Sequence, residues 1–211
     1  LETFGKVPAT GHRRAPVPPP PSLTGGIRRQ VERPEQQAYL GMAWPAPRAD
    51  DSDGFAVDLL ASIVGGSESS RLARTLRDRD QLVSSITMSY AALQGAGMVS
   101  LRAELEAPDL EKVERLILEE IARIQADGVT EDERQLAVIQ FESEHAFDTE
   151  TAEGLANAYG IAETTWTLEA ELTYVDRLRQ VTREQIRDAA RKYLSRTDYA
   201  RLAFVPKPKD R

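Results

Sequence analysis

The sequence predicts an α+β fold, a two-layer α/β sandwich whose mostly antiparallel sheet of about five strands is covered by helices. Three observations predict it. Several short segments alternate apolar and polar side chains with a period of two residues. Longer segments carry apolar side chains at helical spacing. Along the chain these run ββ–αα–ββ, then four or five helices, then a last strand. A sheet with one apolar face and helices with apolar stripes must each cover that surface, and stacking the layers covers both.

Residues 1–8 read as the tail of a preceding domain, and residues 9–25 as a proline-rich linker. Val17 to Pro21 is one apolar residue and four prolines, which stiffen the chain and forbid helix. The folded unit is expected over residues 26–208. Ile27 to Val31 is a short strand. Gln36 to Trp44 puts Ala38, Leu40, Met42 and Trp44 on one side, and Pro45 and Pro47 end it. Asp51-Ser52-Asp53 offers capping oxygens to a helix whose inner face is Phe55, Leu59, Leu60, Ile63 and Val64. Gly65-Gly66 stops that helix. Ser67 or Ser69 caps the next, which points Leu72 and Leu76 inward.

A hairpin follows. Ile86, Met88 and Tyr90 alternate with Thr87 and Ser89, and Val99, Leu101, Ala103 and Leu105 alternate with Ser100, Arg102 and Glu104. The turn signal is Gln94-Gly95-Ala96-Gly97. Pro108 opens a helix with the stripe Leu110, Val113, Ile117, Ile121 and Ile124, closed by Gly128. Thr130 with Glu133 forms a capping box for a helix carrying Leu136, Ile139 and Phe141. Helix continues, broken near Thr149, to about Trp166. Leu172, Val175 and Leu178 mark a short helix. Thr182 with Gln185 caps the last one, with Val181 stapled onto Ile186. Tyr199 to Val205 is the final strand.

Composition narrows the function. With 41% hydrophobic and 29% charged residues the chain reads as a soluble globular domain. A formal charge of −7 argues against a nucleic-acid partner, and Arg71, Arg74, Arg77 and Arg79 are interleaved with Asp78 and Asp80. The absence of cysteine rules out disulfides and thiolate metal sites. No apolar run reaches the ~20 residues of a membrane span. Periplasm and cytoplasm both stay open. A chain that opens Leu1-Glu2-Thr3 reads as a piece of something longer.

Six short motifs then line up in order. Phe4-Gly5-Lys6-Val7-Pro8 is similar to FG-x-(I/V)-P, and Leu59 to Leu72 to LxxxLGGGxSSRL. Arg77 to Leu82, RDRDQL, is similar to REKxGL, and Val129 to Glu133 to (V/P)TEEEL. Leu178 to Ile186 contains a VTxEDV-like helix start, and Ala203-Phe204-Val205-Pro206 fits a closing strand. Together they resemble the C-terminal, non-zinc-binding domain of the pitrilysin/insulinase family of zinc metallopeptidases, which includes mitochondrial processing peptidase. The resemblance implies the LuxS/processing-peptidase-like metallohydrolase fold.

It also implies a division of labour. Peptide hydrolysis in the family needs an H-x-x-E-H helix, whose His side chains bind zinc and whose Glu polarises water. Here the corresponding helix reads VDLLAS, residues 57–62, without a ligand. No metal site and no catalytic residue are therefore expected in this chain. Zinc is expected in a homologous N-terminal domain or partner subunit. Phe141-Glu142-Ser143-Glu144-His145 comes within one substitution of the motif, but one imidazole beside Glu144 does not make three convergent ligands. His12 sits in the linker with no partner in sequence.

The family's second device is an Arg and, seven residues on, a Tyr that donate hydrogen bonds to substrate in the zinc-bearing half. Arg77 matches the Arg. Ser84 stands at the Tyr position, several ångströms too short. Arg77 then either contacts substrate alone, with Ser84 inert, or is a surface helix residue paired to Asp78 and Asp80. Gly65, Gly66 and Ser67 occupy the place of a longer glycine-rich substrate loop in processing-peptidase relatives, and also suit a plain helix stop. Tyr90, alternating with Ile86 and Met88, is expected in the core or on the sheet face.

Three functions follow from these readings. The chain is the non-catalytic domain of a zinc endopeptidase that packs on a zinc-bearing domain and helps to enclose and bind peptide. Alternatively it is a purely structural or assembly domain of a silent family member, or a stand-alone module that binds peptide at a sheet edge. A dimer is compatible with each.

Overall fold

A computed structural model describes Gly11 and residues 23–207. The expected tail over residues 1–8, its Phe4-Gly5-Lys6-Val7-Pro8 motif, His12 and most of the linker lie outside the described residues.

Five strands form one sheet: β1 (Ile27–Arg33), β2 (Ala38–Ala46), β3 (Val83–Ala92), β4 (Gly97–Leu105) and β5 (Ala200–Pro206), in the order β1-β5-β2-β4-β3. The β3–β4 hairpin is as the alternation implies, with Met88 opposite Leu101. Strand β2 pairs antiparallel with β4 and with β5. Strands β1 and β2 are not neighbours, because β5 lies between them and runs parallel to β1 with Val31 opposite Phe204. Alternation reports which side chains face the core, and this insertion leaves it unchanged, so the sequence carries no trace of it.

Seven α-helices accompany the sheet among the described residues: α1 (Gly54–Ala61), α2 (Leu110–Asp127), α3 (Glu131–Asp148), α4 (Ala152–Thr165), α5 (Leu168–Leu172), α6 (Tyr174–Gln180) and α7 (Arg183–Tyr193). The buried face of the sheet is Ala38, Leu40, Met42 and Trp44 of β2, Ile86 and Met88 of β3, and Val99, Leu101, Ala103 and Leu105 of β4. Val113, Ile117, Ile121 and Ile124 of α2 and Val57, Leu59 and Leu60 of α1 belong to the same core. Burying each such large side chain is worth about 1.5–3 kcal/mol. The central strands thus hold the fold, and β1, exposed along most of its length, contributes little by burial.

Local signals account for several ends. Thr130 and Thr182 form complete capping boxes with Glu133 and Gln185, and Gly128 closes α2 with φ 77°. The start of α1 differs from expectation. Asp53 makes no capping bond. Its carboxylate instead accepts hydrogen bonds from Lys192 Nζ at 2.6 Å and Tyr193 Oη at 2.7 Å, fastening α1 to α7. The next helical turn begins after Ser70, rather than after Ser67 or Ser69.

Two helical features go beyond the sequence pattern. Leu136 and Ile139 are 47% and 54% exposed, whereas Ala137 and Val138 are buried and Phe141 packs on the core. The smaller residues fit the close approach of α3 to the body, and the larger ones point out. The single helix expected around Leu172 to Leu178 is two, α5 and α6, meeting at Thr173.

Candidate functional site

Helix α1 ends by widening. Ser62–Gly66 continues it with π-type turns. Gly65 is buried against β3, where an added Cβ would lie 2.8 Å from Met88 Cβ and 3.2 Å from its backbone nitrogen. At Gly66 the same atom would meet the Ala61 and Met88 carbonyl oxygens at 3.2 and 3.3 Å. Gly65 is thus required by close packing on β3, and Gly66 is tightly seated between the Ala61 and Met88 carbonyls; neither needs a left-handed turn. Ser62 Oγ donates to Gln140 Oε1 at 3.2 Å, joining this segment to α3.

Residues 67–70 form the loop that follows, and Arg71 anchors it. Its Nε and Nη2 donate to the two carboxylate oxygens of Glu133 at 2.7 Å each, its Nη1 to Glu120 Oε1 at 3.0 Å, and Nη2 also to the Gly128 carbonyl at 3.3 Å. The Arg71 guanidinium holds Glu133 down to about 2. In the SSRL stretch this arginine is therefore a tie between the loop, α2 and α3. Its role is structural, and the sequence pattern gave no hint of its partners.

The segment Ala73–Arg79 is again π-type, with the Asp80 amide donating to the Thr75 carbonyl at 3.0 Å. It places Arg77 near its end. Arg77 Nε donates to Asp78 Oδ1 at 2.7 Å, Nη1 donates to Glu68 Oε2, and Nη2 reaches the Glu68 carbonyl at 3.2 Å. Pairing with Asp78 and Glu68 raises its pKa above the ordinary arginine value, so it stays charged. Asp80, the other carboxylate expected near it, pairs instead with Arg79. Through Glu68 the Arg77 guanidinium adjoins the loop carrying Ser67.

Ser84 sits on β3, exposed, and its Oγ donates to the Glu104 carbonyl at 3.2 Å. Tyr90 lies farther along β3, half-buried, and donates to the Pro47 carbonyl at 2.7 Å. Glu144 and His145 stand on α3, where His145 Nδ1 lies 3.7 Å from Glu171 Oε1. Among the described residues no group of three or more His, Cys, Asp or Glu side chains could hold a metal ion, and no helix is long and apolar enough to cross a membrane. The chemistry offered at this end is that of a charged hydrogen-bond donor, Arg77, bonded to Glu68 of the serine-rich loop over residues 67–70.

Comparison with known proteins gives a consistent picture. The model of a family described as the peptidase M16 inactive domain matches residues 1–141. An uncharacterized zinc protease of Streptomyces coelicolor is 26% identical over 170 residues, which cover 79% of this chain and 36% of that protein. The chain thus spans about a third of the length of that curated relative. The solved structure of a protease from Helicobacter pylori superposes with a TM-score of 0.88 at 17% identity, covering 97% of this chain and 50% of that one. The inactive peptidase domain of a putative zinc protease from Bordetella parapertussis gives 0.76 at 19% identity, covering 86% and 97%. At these identities the structural likeness is one of fold.

Proposed function

Because the chain belongs to the peptidase M16 inactive-domain family, we propose that it is the metal-free half of a zinc endopeptidase. It packs against a zinc-bearing domain or subunit and helps to enclose and bind the peptide. The observation that carries this reading is the match over residues 1–141 to a domain described as inactive. Its counterpart of the zinc helix, Val57 to Ser62, offers no imidazole. Zinc and the water it activates would come from the other half.

Arg77 is the residue this chain offers to substrate. Its present partners are surface carboxylates, with Glu68 side chain 90% exposed. Water already competes for such pairs, so a peptide carbonyl can take one donor without a large loss. Gly65, Gly66 and Ser67 support the loop beside it, with the two glycines fixed by Met88.

The test is reconstitution. The chain is mixed or co-expressed with the zinc-bearing half encoded in the same genome, and hydrolysis of a quenched fluorescent peptide is followed with metal analysis of each component. The expected result is a co-eluting complex that cleaves peptide, zinc confined to the other half, and no turnover by this chain alone. Turnover and stoichiometric zinc in the isolated chain would overturn the proposal. A zinc-bearing half whose activity is unchanged by this chain would favour a silent assembly role.

A further inference from the structure

Beside α1 lies a cavity of about 380 Å³ that the peptidase reading does not use. It is built by the segment before α1, by α1 itself, by β3, and by α3 to α6. One lining is aromatic. Phe55, Phe141 and Trp166 place their ring centroids 5.7, 6.2 and 5.6 Å from that of Tyr174, so these rings cluster about one centre. Tyr90 adds a fifth ring from β3.

The other lining is acidic. Asp58 enters from α1, Glu144 and Asp148 from α3, Glu171 from α5, and Asp51 from the preceding loop. Among the described residues that line the cavity there is no lysine or arginine, and His145, beside Glu171, is its sole basic group. Asp58 Oδ2 accepts a hydrogen bond from Tyr174 Oη at 2.8 Å. Burial pushes the Asp58 carboxyl up to about 7 and raises Glu171 as well, as expected of carboxylates short of positive partners.

Aromatic faces and carboxylates present the same sign of potential to a guest. The group that satisfies both is a cation with an apolar body. One ring already accepts such a group: the Arg177 guanidinium, which lines an adjoining hollow, lies 5.5 Å from the centroid of Phe55. A bare metal ion fits poorly, since these carboxylates do not converge into a metal-holding set. The volume lies near the low end of small-ligand pockets, which suits one side chain or a small amine.

We propose that this cavity is a binding site for an alkylammonium group, as carried by a lysine side chain, a peptide amino terminus or a small amine. The cation stacks on the ring cluster around Tyr174 and pairs with Asp58 and Glu171. This site does not depend on the peptidase reading.

The test titrates the full 211-residue chain with n-butylammonium chloride at pH 8 and fixed ionic strength, followed by amide NMR shifts. Saturable shifts are expected at Gly54, Asp58, Trp166 and Tyr174. Neutral 1-butanol should bind about ten-fold more weakly, and Asp58→Asn should weaken butylammonium by about ten-fold. Glu171→Gln gives the same readout should Asp58→Asn fail to fold. Nα-acetyl-lysine amide and glycine amide then compare a side-chain amine with a chain terminus, and the tighter binder names the source. Equal binding of butanol and butylammonium, unchanged affinity in the folded variant, or no saturable shift at the cavity would overturn the proposal.

Discussion

Arg201 Nε donates to Glu114 Oε2 at 2.9 Å, with side chains only 4% and 5% exposed, so a buried ion pair joins β5 to α2. Arg28 Nη1 and Nη2 reach the two Glu114 oxygens at 2.6 and 2.9 Å, Tyr199 Oη donates to Oε1 at 2.5 Å, and Arg201 Nη2 reaches Glu111 at 2.7 Å. Burial alone would raise the Glu114 carboxyl. The Arg28 and Tyr199 hydrogen bonds and the nearby guanidinium charges instead hold it below the usual carboxylate range. The edge strand β1, which buries little, is thereby fastened to α2 through Arg28.

Glu114→Ala is therefore expected to be among the most damaging polar truncations in the chain. It leaves Arg201 buried without its main partner, and breaking such a pair costs about 3–5 kcal/mol. Urea unfolding followed by circular dichroism measures this. The paired replacement Glu114→Leu with Arg201→Met should lose much less, because no buried charge is orphaned and Arg28, 52% exposed, can turn to water. A Glu114→Ala loss below about 1 kcal/mol would show that the pair is not holding the sheet edge.

The same pair shows what the sequence hides. Tyr199 to Val205 reads as a strand, but its inward positions are Arg201 and Ala203, while Leu202 is 39% exposed. Polarity alternation gives the wrong inner face there, because the partner of Arg201 lies 87 residues away in sequence. The capping boxes at Thr130 and Thr182, the β3–β4 hairpin and the α2 stripe were legible because each is set within a few neighbouring residues. The insertion of β5 between β1 and β2 and the outward turn of Leu136 and Ile139 were not, because long-range packing sets them. The aromatic and acidic cavity was equally invisible. Its residues come from separate elements, and in sequence Glu144 and His145 form only an imperfect zinc motif.

Acid should unfold the chain in a window set by Glu133 and Glu114. Hydrogen bonds from Arg71 hold Glu133 at about 2, against 4.5 for a free group. A depressed carboxyl contributes stability that is complete above its unfolded pKa and is lost as pH falls through the folded one. Stability should thus drop between pH 4.5 and about 2, and Glu133→Gln should flatten that part of the curve while lowering stability at pH 7. Thermal melts at half-unit pH intervals test this. A variant whose pH profile overlays the parent would refute the assignment.

Asp58 has the opposite sign. Burial pushes it from 3.8 to about 7, so the folded chain retains a proton that the unfolded chain has released. Stability therefore falls as pH rises from 3.8 to about 7, and the full penalty applies above that window. Asparagine keeps an acceptor for Tyr174 and never ionises. Asp58→Asn should be more stable than the parent at pH 8 by roughly 1–3 kcal/mol and close to it near pH 4. Urea midpoints at the two pH values decide, and an equal offset at both would refute the linkage.

Gly65→Ala tests whether the double glycine is a packing requirement. The new Cβ would fall 2.8 Å from Met88 Cβ, so the wide turn or β3 must move. A loss of about 1–3 kcal/mol is expected, and Met88→Ala should not recover it, because alanine keeps the Cβ that the new methyl meets. A Gly65→Ala chain of unchanged stability in urea would return the glycines to the substrate loop as their main reason.

Arg77→Ala separates the two readings of this donor. In the reconstituted complex, an arginine that bonds the substrate carbonyl as charge develops should lower kcat by about 10- to 100-fold with KM little changed. Asp78→Asn and Glu68→Gln loosen its present partners and should leave kcat intact or raise it, because the guanidinium is then freer to turn toward substrate. If Arg77 only pairs with Glu68 and Asp78, Arg77→Ala leaves turnover at the parental value, and its effect is confined to the stability of the Ala73–Arg79 segment. Steady-state kinetics with one fluorescent peptide, paired with a melting curve for each variant, resolves the two, since only a substrate contact moves kcat without moving the melt.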